Sequence, residues 1–305
     1  MNKKLFISLL LLLASNAIFS QRNIYEYYKS FVVQIGIVKD NKFIEDGTGL
    51  VTYMKLDSVE VHCIITAGHV IDDFVNSNQK GFYVRPSWAD SLKTSEYLGT
   101  FIPLKVNGLT MFFKPEDHSV DLGCILYAID TSDHVARSYY AKNKAKEFPL
   151  NGIQNPLLGQ KVVVFGYPLH VENQFAKYNY SVCTVKPGIV GWVPNSDLNS
   201  EIDNYILIES NATHGNSGGP VFTDPDLDNQ AQQLVGIVHG GYDDDTMLPL
   251  KIGNKIMGDT VSKKPYYVVT KSGVTTIVKA KLVRSFISEI EGKIQIIGYR
   301  KLFNW

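Results

Sequence analysis

Ser217 lies in THGNSGGPVF (213–222), with Gly215, Gly218 and Gly219 around it and an apolar β-type pair after it. Glycine this dense marks a backbone that turns sharply or approaches another group closely. A hydroxyl on such a turn becomes a nucleophile when an imidazole takes its proton and a carboxylate fixes the tautomer of that imidazole. The chain offers a candidate for each part. His69 closes the apolar run CIITAGHV, and Asp121 precedes the apolar run of HSVDLGCILYAI. A carboxylate entering a buried strand is costly unless it is paired. The N–H groups of Gly215 and Ser217 are placed to hold an oxyanion, and Gly218 with Gly219 leaves room for a substrate. Each residue also has an ordinary use: Ser217 in a tight turn, His69 as a strand-boundary residue, Asp121 as a strand-end cap. Asp117 in a polar loop and Asp130 at the far end of the run compete with Asp121. A phosphate-cradling loop does not fit, because GxxxxGK[ST] is missing and no helix follows.

These residues must be delivered by short β segments, which dominate the chain between Gly, Asn, Asp and Pro clusters. Strands are expected at 30–38, 47–54, 59–68, 80–86, 99–106, 109–113 and 121–129. The stretch 131–158 is charged and irregular, with a short helix expected over 141–147, and reads as a link. Further strands are expected at 160–168, 178–193, 204–210, 218–222, 233–241 and 265–273. Val283, Phe286, Ile287 and Ile290 fall at i, i+3, i+4 and i+7, the pattern of an amphipathic helix. Two sets of strands with one late helix predict an all-β fold of two antiparallel barrels. His69 and Asp121 belong to the first set (21–140) and Ser217 to the second (141–305), so a site built from them lies between the halves.

The remaining features narrow the class. Lys3 and Lys4 precede the apolar run LFISLLLLLA (5–14) and the small-residue stretch SNAIFSQ. That order is a secretory signal peptide over about residues 1–20, with Ala17 and Ser20 both fitting as the cleavage point. It predicts a secreted or periplasmic product. The run is too short for a stable membrane anchor, which needs about 20 residues. Lys and Arg together number 30, as do Asp and Glu, and removal of Lys3 and Lys4 leaves 28 basic against 30 acidic residues. Nothing basic enough for nucleic acid remains. Cys63, Cys124 and Cys183 are an odd set, which excludes a fully paired disulfide framework; core thiols are expected, with a Cys63–Cys124 bridge as the alternative. No His/Cys spacing points to zinc, and no cofactor motif is present. DPDLDNQ (224–230) and YDDDT (242–246) are acidic, but the first lacks the glycine of a calcium loop.

Read together, GTGLVT…IITAGHV, VDLGCIL, GQKVVVFGYP, PGIVGWV, GNSGGPVF and LVGIVHGG resemble the trypsin-like serine proteases, and among them the bacterial exported HtrA-like and glutamyl endopeptidase types. The motifs run in order from about residue 30 to about residue 241, and the chain order His, Asp, Ser is also that of chymotrypsin. The resemblance implies two six-stranded antiparallel β-barrels with a C-terminal helix, and peptide or protein substrates cleaved through an acyl-enzyme. It implies His69 as general base, Asp121 as its orienting carboxylate, Ser217 as nucleophile and the Gly215 and Ser217 N–H groups as oxyanion hole. A catalytically inactive scaffold that binds peptides is the alternative.

The departures are informative. Digestive relatives carry Asp before the serine to pair with a freed N-terminus; here Asn216 stands there, so activation by that ion pair is not expected. Val70 replaces the cysteine that follows the histidine in those relatives. Too few residues follow the last motif for the PDZ module of HtrA-like enzymes. The S1 pocket that the resemblance implies is walled by Asn211, Thr213, His214, His239, Gly240 and Gly241. None is an Asp placed to bind Arg or Lys. Glutamyl endopeptidases carry a pocket histidine in a GIH context, whereas GIVH here shifts His239 by one. Preference for an acidic or small P1 residue is expected.

Overall fold

The computed structural model describes residues 24–126 except 57, 58, 78, 94 and 107, residues 147–168, 182–194, 201–224 except 211, 232–241 and 273–297, and short strands at 246–249, 251–252, 255–256 and 267–270. The expected signal peptide, most of the 141–147 helix and Asp130 lie outside these residues.

A short helix, α1 (24–29), leads into β1 (Val32–Lys39), β2 (Lys42–Leu56) and β3 (Val59–Thr66). Helix α2 (Gly68–Asn76) follows, then β4 (Gly81–Pro86), β5 (Thr100–Pro103), β6 (Lys105–Val106), β7 (Leu109–Thr110), β8 (Phe112–Phe113) and β9 (Gly123–Leu126). The second half contains β10 (Lys161–Gly166), β11 (Thr184–Trp192), β12 (Tyr205–Glu209), β13 (Pro220–Thr223) and β14 (Leu234–Gly241). Two small ribbons come next, from β15 (Thr246–Pro249), β16 (Lys251–Ile252), β17 (Lys255–Ile256) and β18 (Tyr267–Thr270). Strand β19 (Val274–Lys279) and helix α3 (Ala280–Ile297) end the described chain.

The fold is all-β with a C-terminal helix, and its halves close differently. The second half is a closed six-stranded barrel in the order β10-β11-β12-β19-β14-β13. The first is a seven-stranded curled sheet, β5-β4-β1-β2-β3-β9-β8, where a second closed six-stranded barrel was expected. The strand that completes the closed barrel is β19, whereas the expected strand at 265–273 pairs as β18 in a side ribbon with β15. VTTIVK is rich in β-branched residues, as strands are, but it abuts α3 without a break and is masked by the helical period that follows. Helix α2 was also not expected. GHVIDDFVN buries Val70, Ile71 and Phe74 on one face, a helical spacing concealed by the Ala-Gly turn before it.

Burial explains the rest. Val162, Val164, Val190, Ile206, Ile208, Val221, Val235 and Ile277 fill the closed barrel. Val33, Ile35, Ile64, Val84 and Ile125 fill the first half under α2. A third cluster joins the halves: Phe31, Leu50, Phe148, Phe165 and Phe222 pack with Val283, Phe286, Ile287 and Ile290 of α3. The amphipathic helix read from the sequence thus buries its expected face. Cys63, Cys124 and Cys183 are free and buried, as core thiols, and no bridge joins Cys63 to Cys124.

Candidate active site

Ser217 is held by contacts from both halves. Its carbonyl accepts the Thr48 N–H at 2.8 Å, and the Thr48 hydroxyl donates to the Gly215 carbonyl at 2.6 Å. The Thr66 hydroxyl donates to the Thr48 carbonyl at 2.7 Å, so two buried threonines of the first half fix the loop. From the other side, Gly218 N–H donates to the Val238 carbonyl and Val238 N–H to the Gly219 carbonyl. The glycines are required by space. Gly218 has φ +84°, and a Cβ there would lie 2.1 Å from both the Thr48 carbonyl oxygen and the Thr66 hydroxyl. Gly215 also sits in the left-handed region, with φ 88°. Among the described residues, neither the Gly215 nor the Ser217 N–H donates a hydrogen bond. Two donors on one turn with no other acceptor suit a developing oxyanion.

Asn216 is fully buried, and its amide donates to the Thr213 carbonyl at 3.0 Å. It therefore ties the loop to itself.

His69 is the second residue of α2. Asp121 grips it twice: the His69 backbone N–H donates to Oδ1 at 2.8 Å, and Nδ1–H donates to Oδ2 at 2.7 Å. A carboxylate at a helix N-terminus is also favoured by the helix dipole. Gly68 permits this approach, since a Cβ there would lie 2.8 Å from Asp121 Oδ1. Asp117, the rival carboxylate, is used locally and accepts from Ser119 N–H and Oγ.

His239, one of the expected pocket residues, turns its ring toward Asp121. Its Nδ1–H donates to the same Asp121 Oδ2 at 2.5 Å. A register shift between Val238 and Gly240 in the pairing of β14 with β19 makes His239 a bulge residue, and bulges re-aim side chains. Asp121 thus accepts three N–H groups. Burial pushes its carboxyl up, but the hydrogen bonds and charges of His239 and His69 outweigh that and hold it well below the usual carboxylate range. The hydrogen bond to Asp121 raises the His69 pKa against the opposing effect of burial.

Ser217 Oγ donates to the His239 carbonyl at 3.4 Å, and no hydrogen bond joins it to His69 among the described residues. Of the other pocket candidates, Thr213 is half-buried, His214 is exposed and Gly240 is half-buried. Gly241 ends β14, and Asn211 lies outside the described residues.

Sequence reasoning missed Tyr205. Its hydroxyl donates to the Ser119 carbonyl at 2.6 Å and accepts the Asp121 N–H at 3.4 Å, and its ring lies 5.2 Å from that of His239. It braces the Asp121 loop from the second half. Its setting in NYILIES carried only a strand signal.

A search of curated proteins gives no match. Among solved structures, the MamO protease domain from Magnetospirillum magneticum (apo form) aligns over 86% of this chain and 98% of its own, with 15% identity and a TM-score of 0.47. The HtrA-type protease AlgW with decapeptide aligns over 88% of this chain and 67% of its own, at 12% identity and a TM-score of 0.48. A Glu endopeptidase in complex with MPD aligns over 87% and 91%, at 15% identity and a TM-score of 0.48. The family model described as the trypsin-like peptidase domain matches residues 47–237. That span is well over half of the chain and contains His69, Asp121 and Ser217, so the chain belongs to the trypsin-like peptidase family of serine endopeptidases.

Proposed function

We propose that the protein is an exported serine endopeptidase that works through Ser217, His69 and Asp121. The observation that carries this is the double grip of Asp121 on His69, which fixes the proton on Nδ1 and leaves Nε2 as a base. In the reaction, the Ser217 hydroxyl leaves the His239 carbonyl, gives its proton to His69 Nε2 and attacks the scissile carbonyl. Negative charge then develops on the carbonyl oxygen, where the Gly215 and Ser217 N–H groups receive it. One such donor is worth about 10²–10³ in kcat. His69 next protonates the leaving amine, and water repeats the sequence on the acyl-enzyme. Catalytic hydrogen bonds in a substrate-free site are often loose, which accounts for the Ser217 rotamer. The N-terminal signal pattern supports export, and Asn216 supports activity without pairing to a new N-terminus.

The proposed P1 preference is acidic or small. No Asp lines the pocket candidates, and with the His239 ring committed to Asp121, His214 is the exposed imidazole left beside the loop.

One experiment tests the enzyme reading: residues 21–305 are treated with a fluorophosphonate probe beside Ser217→Ala. Covalent labelling of the wild type alone is expected. Absence of labelling in a folded wild type favours an inactive peptide-binding scaffold, a reading to which the Ser217–His239 contact would then belong. Peptide-library cleavage dominated by Arg or Lys at P1 would sink the specificity proposal.

A further inference from the structure

Two imidazoles on one carboxylate oxygen exceed what orientation of a catalytic base requires. His69, Asp121 and His239 come from α2, from the loop before β9 and from the bulge of β14, and one ligand-type atom of each lies within 4.8 Å of the others. We propose that these three side chains bind a divalent transition-metal ion of the zinc class, and that the bound ion switches the peptidase off.

Two imidazole nitrogens and one carboxylate oxygen are a ligand set that zinc accepts, with a fourth position left for water. The geometry is close to what is needed. The two Nδ1 atoms now lie 2.7 and 2.5 Å from Asp121 Oδ2. Metal–ligand bonds of about 2.0–2.1 Å in a tetrahedron separate ligand atoms by about 3.3 Å, so the His69 and His239 rings must back away from Asp121 Oδ2 by about 0.6 and about 0.8 Å. Both have room to do so, since the His69 and His239 side chains are 43% and 40% exposed. Asp121 is already held by the His69 backbone N–H through its other oxygen, an outer-shell contact of the kind that orients a metal ligand. The surroundings favour a cation: Asp46 and Asp73 both act electrostatically on His69.

Inhibition follows from proton placement. Without metal, each ring carries its proton on Nδ1 and donates it to Asp121. Metal binding displaces both protons from Nδ1, and each neutral ring takes its proton back on Nε2, so no net proton leaves a neutral site. His69 Nε2 is then an N–H group, with no lone pair to accept the Ser217 proton. Chelation of the metal reverses the change. The inhibitory half of this proposal rests on the peptidase reading, whereas the binding half does not.

The closing experiment separates the two. Ser217→Ala protein, incapable of self-cleavage, is titrated calorimetrically with zinc chloride, alongside Ser217→Ala combined with His239→Ala and, separately, with His239→Ser. Wild-type labelling by fluorophosphonate is followed with zinc and with excess EDTA. One zinc per Ser217→Ala chain is expected. Weakening on the order of tenfold or more is expected in both His239 variants, because loss of even an outer-shell partner costs 10–100-fold. Labelling should stop in zinc and return with EDTA. The thermal midpoint of each variant establishes that it is folded. If Ser217→Ala binds no zinc, or folded His239 variants keep its affinity and stoichiometry, the metal site is overturned whatever the labelling shows. If zinc binds at His239 and the wild type fails to label even in EDTA, the metal site stands and the peptidase reading falls.

Discussion

Asp46 sits where the pairing of β1 with β2 jumps from Gly47 opposite Ile35 to Glu45 opposite Gly36, so it is the extra residue of a bulge. Burial, and after it the charge of Asp73, raises its carboxyl to about 6. The consequence for stability has a definite sign. Below the ordinary carboxylate value of about 3.9, Asp46 is protonated in both the folded and unfolded chains. Between there and about 6, the unfolded chain ionises first, the folded chain binds more protons, and stability falls as pH rises. Above that window the loss is complete and constant. Asp46→Asn removes this contribution, so its melting temperature relative to wild type should climb from pH 4 to pH 6 and then level. A difference that stays constant across pH 4–7 would sink the assignment. At this scale much of the candidate site was legible, since His69, Asp121 and Ser217 each announced themselves at a strand boundary. Asp46 and the direction of His239 were not. Both lie on bulges, and the one-residue shift of phase that a bulge imposes does not show in stretches as rich in glycine as EDGTG and GIVHGG.

The nucleophile loop shows what glycine contributes at the level of an element. Gly159 and Gly218 have nearly the same φ, +79° and +84°, but different surroundings. A Cβ on Gly159 meets nothing within 4 Å, whereas one on Gly218 meets two oxygens at 2.1 Å. Gly159→Ala should therefore lose about 1–2 kcal/mol from backbone strain alone. Gly218→Ala must also push Thr48 and Thr66 off the loop, and should lose more than about 3 kcal/mol and its fluorophosphonate labelling. Urea unfolding of the two variants measures the difference, and equal losses would show that the Thr48 and Thr66 contacts do not constrain the loop. The density of glycine was visible in the sequence, and so was its use in a close approach. What approaches was not visible, because Thr48 and Thr66 lie more than 140 residues upstream in β2 and β3. Strands with long apolar or alternating runs could be read directly. Strand β19 and helix α2 could not, because each is continuous with a neighbouring signal of another kind.

Across the whole molecule, the site depends on two halves staying in register, and two features tie them. One is aromatic: from the second half, Phe222 lies 5.1 Å from Tyr28 and Phe148 lies 5.7 Å from Phe31, ring centre to ring centre. The other is polar. Asp90, in the 3₁₀ turn Ser87–Ser91 of the first half, pairs with Lys29 at 3.0 Å and accepts from the Tyr167 hydroxyl and the Cys183 N–H, each at 3.0 Å. Burial raises its carboxyl, and Lys29 with the Cys183 and Tyr167 donors opposes that. The two partners of this ion pair are therefore unequal. Lys29→Met leaves an Asp90 that can keep a proton and its two donors, so the loss should be small. Asp90→Ala strands the half-buried Lys29 ammonium and two second-half donors at once, and should cost about 1–3 kcal/mol, the usual result of leaving such groups without their acceptor. If Asp90 ties the halves, the Asp90→Ala loss will appear in a single unfolding transition that both halves share, followed by tryptophan fluorescence, to which Trp88 of the first half and Trp192 of the second both contribute, and by far-ultraviolet dichroism. Coincident curves shifted together are the expected result. Curves that separate in Asp90→Ala would mean that the halves are held together by this ion cluster more than by the aromatic core, and a loss no larger than that of Lys29→Met would mean that it holds neither.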